Sequence, residues 1–200
     1  MLKSKRIPRT ARWLTAILMG LLCCSAVFAH AGPSISVKHS FYPVSGRTSR
    51  DLKEQMKRNG PGAESKIWGD ARTKWQVNWN YGLMPVPGGC RIHKVATSVH
   101  VTFIMPRWTD PSDGNPELRE KWNTFVKALQ RHEDGHKEHG IHAAQEIESR
   151  VAGLQPMGSC GEVQKAANTL ANGIVEKYKR QDLYYDIQTL HGTTQGAVFR

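Results

Sequence analysis

Residues 116–151, PELREKWNTFVKALQRHEDGHKEHGIHAAQEIESRV, decide the reading of this chain. Pro116 behind Asn115 is a helix start, because the asparagine caps the first turn and a proline at its first position gives up no N–H that the helix needs. Leu118, Trp122, Phe125, Val126 and Leu129 follow at helical spacing, and the pattern runs on past His132 through Ala143, Ala144, Ile147 and Val151 until Gly153 to Gly158 end it. The apolar face therefore carries the segment His132-Glu133-Asp134-Gly135-His136 inward. Residues four apart on a helix project about 40° from one another, so His132 and His136 can offer both imidazoles to one cation. Two neutral imidazoles at this spacing suit Zn2+. Glu133 lies about 100° around from His132, poorly placed as a ligand but well placed to hold a water on the ion as general base. Gly135 keeps the backbone on that face uncluttered.

A peptidase zinc needs a third protein ligand. His139 shares the face of His132 and His136, yet at 1.5 Å rise per residue it lies roughly 10 Å along the axis from His132. Glu146 lies farther still. His142 stands where a metzincin pattern would place its third histidine, but the helix continues through that point and the required turn is absent. A second helix starts near Ser159, carries Val163, Ala167, Leu170, Ile174 and Tyr178 on one face, and predicts an antiparallel hairpin with the first. Equal helix lengths on either side of the Gly153 turn bring the chain back to the level of His136 near Tyr178. The segment Leu183 to Gly192 then passes the metal. His191 is the preferred third ligand, with Asp186 and His142 as alternatives, and Tyr184 and Tyr185 are candidate donors to a developing oxyanion.

Upstream, 37–44 reads as a short strand, and Thr48 caps a helix carrying Leu52 and Met56 that ends at Asn59-Gly60. Trp75, Val77, Trp79 and Tyr81 alternate with polar residues, as do Val95, Thr97, Val99, Val101, Phe103 and Met105 until Pro106, the period of strands with one buried face. The aromatic stripe is expected to be core rather than a substrate platform. The fold class is α+β: a small antiparallel or mixed sheet, about 35–108, packed on a zincin-like helical hairpin, about 115–182, with a site segment 183–200.

In the first thirty residues Lys3, Lys5, Arg6, Arg9 and Arg12 precede an apolar run from Trp13 to Phe28 that ends in Ala29-His30-Ala31, with no acidic residue. This is the layout of a signal peptide, 1–31, ahead of a single domain, 32–200, in the periplasm or secreted, with no membrane span left after cleavage. Removing those five basic residues leaves 23 Lys and Arg against 17 Asp and Glu, a net of about +6 in place of +11. Such a balance predicts no nucleic-acid partner and permits contact with anionic envelope polymers. Cleavage also leaves Cys90 and Cys160 as the only thiols of an exported chain, which predicts a disulfide between them.

The runs Phe41-Tyr42-Pro43-Val44-Ser45-Gly46-Arg47-Thr48, Asn59-Gly60-Pro61, Thr73-Lys74-Trp75-Gln76-Val77-Asn78-Trp79, Gly89-Cys90 and Met105-Pro106-Arg107-Trp108, together with His132-Glu133-x-Gly135-His136, resemble the domain of unknown function 922 family. The ending Tyr185-Asp186-x-x-Thr189-x-His191-Gly192-x-x-Gln195-Gly196 is also similar to that family. The resemblance spans nearly the whole chain after residue 31 and implies a secreted zinc-dependent protease acting on protein or peptide. Two other readings stay open at this point: an envelope protein that holds zinc without hydrolysis, and a basic module binding an anionic polymer.

Overall fold

The computed structural model describes residues 32–63 and 69–200; the expected signal peptide, 1–31, lies outside the described residues. Three strands, β1 (Ser34–Val44), β2 (Arg72–Val86) and β3 (Gly89–Trp108), form one sheet in the order β1-β3-β2. The β2–β3 pair is an antiparallel hairpin, whereas β1 runs parallel to β3, so the sheet is mixed. Both hairpin strands are longer than the alternation alone marks, and only Pro87 and Gly88 separate them. The ladder slips between Tyr81 and Gly82, where Lys94 takes a positive φ of 57° and bulges out of β3. Pro106 does not end β3. β2 stops pairing at Ile104, so Pro106, paired with Tyr42 of β1, meets no strand on its other side that would need its missing N–H.

Between β1 and β2 lies α1 (Ser49–Asn59), opened by a capping box of Thr48 and Asp51 and fastened to the core by Leu52 and Met56. The long α2 (Pro116–Ala152) starts at the Asn115 cap, and its inward stripe packs across β2 and β3. α3 (Cys160–Thr189), capped by Ser159 with Glu162, returns antiparallel beside it. The aromatic stripe of β2, Trp75, Trp79 and Tyr81, is partly buried against the core, and each member also uses its polar edge to reach α3. Trp75 Nε1 donates to Asp182, Trp79 Nε1 donates to Asn168 Oδ1 at 3.1 Å, and Tyr81 Oη reaches the same oxygen at 3.1 Å. The opposite sheet face, with Lys74, Gln76, Asn78, Asn80 and His100, is exposed, the usual division for a sheet covered on one side. Among the described residues no helix is long and apolar enough to cross a membrane.

Helix α3 extends seven residues past the boundary expected at 182, and it reaches the level of His136 at Asp182 rather than near Tyr178. The reason is the connection. Loop residues 153–159 do not fold straight back but run out to the sheet, where Met157 pairs with Cys90 and the Cys90–Cys160 disulfide closes. α3 therefore begins about six residues, roughly 9 Å, beyond the end of α2. The bond links positions 70 residues apart, and closing such a loop in the unfolded chain accounts for about 4 kcal/mol of stability. Exchanging both cysteines for serine should lower the unfolding free energy by that order, read as a drop in the urea midpoint with a slope that rises as the uncrosslinked unfolded chain expands.

Candidate metal centre

His132, Glu133 and His136 occupy buried positions on the stripe of α2 that elsewhere holds Phe125, Leu129, Ala143 and Ile147. The i,i+4 spacing of His132 and His136 faces an i,i+4 pair on α3, Asp182 and Asp186. His132 Nε2 and His136 Nε2 each lie 3.1 Å from the same Asp186 oxygen, Oδ1. His132 Nδ1 sits 3.0 Å from Gln195 Oε1, and His136 Nδ1 sits 3.0 Å from Asp182 Oδ1. Both of those oxygens only accept, so both Nδ1 atoms carry hydrogen, and a ring without a second proton aims its Nε2 lone pair at Asp186. Three lone-pair atoms thus converge on one point, which demands a positive charge between them. Two imidazoles and a carboxylate are a donor set that zinc takes, with each histidine steered by an outer acceptor.

Among the described residues a second trio, His136, His139 and Asp182, also lies within ligand distance. Its chemistry differs. Asp182 accepts from His136 Nδ1, His139 Nδ1 and Trp75 Nε1, so every contact already contains a hydrogen and no cation is required. Asp182 is best described as the carboxylate that orients His136.

The other end of the site is equally braced. Tyr185 stacks on His132 at 5.0 Å and 11°, donates its hydroxyl to the His132 carbonyl at 3.2 Å and accepts from Gln195 Nε2 at 3.0 Å. Its ring fills the space over Gly135, where any Cβ would strike the phenol. Past Thr189 the chain turns through Leu190, His191 and Gly192, all with positive φ of 49°, 51° and 81°. That turn folds Gly192 onto His132, where a Cβ would come 2.9 Å from Cγ, and delivers Gln195 to Nδ1.

Glu133 is 3% exposed, and Thr73 Oγ1 donates to its Oε2 at 2.6 Å. Burial raises the Glu133 pKa above the usual carboxylate value against the opposing pull of Thr73, His136 and His132. Burial would do the same to Asp186, but its contacts with His132 and His136 and the nearby His191 outweigh that and hold it far below the ordinary range. A cleft of about 420 Å3 opens over these groups, walled by Gly69 to Thr73, Leu129, Leu183 and His191 as well as His132, Glu133, His136, Asp182 and Asp186.

Of the third-ligand candidates, Asp186 is the one placed between the two imidazoles. His191 stands at the cleft wall, half exposed, with Nδ1 3.5 Å from Asp186 Oδ1 and outside both trios. His142 is exposed on α2. Tyr184 is exposed and turned away, and Tyr185 spends its hydroxyl on His132 and Gln195. Asp182 and Thr73 are participants that sequence reasoning passed over. The signal for Asp182 was its four-residue spacing from Asp186, which mirrors that of the histidines.

A family model described as a bacterial protein of unknown function, DUF922, matches residues 39–192. The chain belongs to that family. Comparison with curated proteins and with solved structures finds no match. The matched span contains every site residue named above except Gln195.

In the metal-free protein the charge demanded at the centre is a proton. Burial opposes the His136 imidazolium, but its hydrogen bonds to Asp182 and Asp186 and their charges push its pKa from 6.5 up to about 10. A divalent ion must displace that proton. Apparent metal affinity should therefore keep rising by about tenfold per pH unit above neutrality, where an ordinary histidine site would level off. Competition with a chromophoric chelator across pH 7 to about 9 checks this, and a flat profile would refute it.

Proposed function

We propose that this chain is an exported zinc peptidase that holds Zn2+ through His132, His136 and Asp186 and cleaves peptide bonds with Glu133 as general base, on a zincin-like plan. The observation that carries the reading is the convergence of two Nε2 atoms and one carboxylate oxygen beside a buried glutamate in an open cleft. Zinc, when bound, supplies a lowered pKa for a water and polarisation of a carbonyl. The remaining work belongs to the chain. Asp182 and Gln195 keep the imidazoles in the tautomer that presents Nε2, and Trp75 and Tyr185 hold those partners in turn.

Glu133 takes a proton from the attacking water as the carbon–oxygen bond forms and returns it to the amine as the carbon–nitrogen bond breaks, leaving a carboxylate and an amine. Its raised pKa brings the carboxyl nearer to neutrality, which suits both transfers. Thr73 fixes one carboxylate oxygen and leaves the other for the cleft. We assign His191 to the cleft wall and no oxyanion role to Tyr184 or Tyr185. A site that only stored zinc would have no use for a buried carboxylate beside the open face of the ligands. The disulfide and the basic, apolar N-terminal segment support a periplasmic or secreted location.

Zinc content and peptide hydrolysis, measured on the same preparations, test the assignment. Glu133→Gln should retain zinc and lose hydrolysis by at least about a hundredfold. Asp186→Ala and His136→Ala should lose zinc, and His191→Ala should keep it. Wild-type rates from Glu133→Gln would overturn the mechanism, and full zinc retention by Asp186→Ala would overturn the ligand set.

A further inference from the structure

We infer that the polypeptide this site takes is an extended segment rich in large apolar side chains, gripped along a strip of α3 that begins at the lip of the metal cleft. The inference rests on the peptidase reading and names its substrate class. Leu183, Tyr184, Ile187 and Leu190 are 61%, 60%, 68% and 60% exposed, more than the other exposed large apolar side chains, Ile35, Val37, Phe41 and Leu83, which lie on the strands at 37% to 48%. Contiguous exposed apolar residues of this kind mark a surface that meets something.

Their place on the helix says what. Leu183 lies three residues before Asp186 and Leu190 four after it, so the strip borders the side of α3 that carries the ligand carboxylate. Tyr185 and Thr189 meanwhile point towards α2 and the His132 end of the site. Leu183 belongs to both surfaces, because it is exposed on the helix and also walls the cleft. Asp70 also lines a second groove of about 370 Å3, walled by Met56, Ala197, Val198 and Phe199 and by the charged Lys53, Glu54 and Lys57. A chain lying across the metal would thus meet apolar surface at the α3 lip.

Charge separates this occupant from an anionic polymer. From Leu183 to Leu190 the only charged residue is Asp186, and the strip contains no lysine or arginine to attract phosphate or carboxylate groups.

Binding, rather than cleavage, is the test. Two labelled peptides of equal length and charge, one bearing Leu, Phe and Val and the other Ser, Thr and Gly, are titrated by fluorescence anisotropy into the protein carrying Glu133→Gln, with and without Zn2+. The apolar peptide should bind at least about tenfold more tightly, and Ile187→Asp or Leu190→Asp should each remove about tenfold of that preference with zinc content and melting temperature unchanged. Both positions are exposed, so neither change threatens the core. Equal affinity for the two peptides, or indifference of the apolar peptide to Ile187→Asp, would overturn the inference. So would a wild-type dimer that Ile187→Asp converts to monomer in sedimentation, which would give the strip to a second copy. Because anisotropy needs no turnover, an inactive wild-type protein would count against the peptidase reading alone.

Discussion

The structure turns on one contact, the antiparallel meeting of α2 and α3 at which His132 and His136 oppose Asp186 and Asp182. Each pair is spaced by four residues, so a single register satisfies both at once. A slip of one residue along α3 would swing each carboxylate by about 100° and leave ionisable groups buried without partners, a costly outcome in a low-dielectric interior. The fold spends much of its architecture on preventing this. The disulfide ties the start of α3 to β3, the Met157 bridge holds the connecting loop to the same strand, and Trp75, Trp79 and Tyr81 reach across from β2 to points along α3.

The same contact explains why small and unusual residues gather there. Gly135 and Gly192 lie above and beside His132 because the Tyr185 ring and the returning chain come too close for a side chain. Two non-glycine residues, Leu190 and His191, adopt left-handed backbone in the turn that carries Gln195 back to the imidazole. The sheet takes part through Thr73, at the start of β2, whose hydroxyl keeps Glu133 in place. A helical motif is thereby completed by three other pieces of chain: an edge strand, the far end of α3 and the C-terminal turn.

On the proposed function, the arrangement separates metal binding from proton transfer. Three atoms with no hydrogen between them demand a cation, and Glu133, a buried carboxylate outside that set, lines the cleft with its pKa raised by burial. A proton on His136 meets the same electrostatic demand, and the hydrogen bonds from His136 to Asp182 and Asp186 join the two helices at this point. On the proposed function, the ligands would then stand near their working positions at little reorganisation cost.

Periodicity alone determined much of this protein. The 3.6-residue stripe of α2, its Asn115-Pro116 start, the alternating strands β2 and β3, the Thr48 cap and the inward-facing histidines are local properties, legible because side-chain direction and capping follow from short-range geometry. The pairing of Cys90 with Cys160 was legible for a different reason, since the expected removal of the first 31 residues would leave only two thiols. Whether the sheet is mixed or antiparallel, and how far α3 travels before it meets the histidines, were decided only by the tertiary structure. The sequence sets each helix's length and face, but its offset against its neighbour depends on where a loop is anchored, here at the sheet edge beside Cys90. That offset of about six residues moved the carboxylate partner from the tail into the helix. It brought Asp186 to the imidazoles and set His191 at the wall of the cleft.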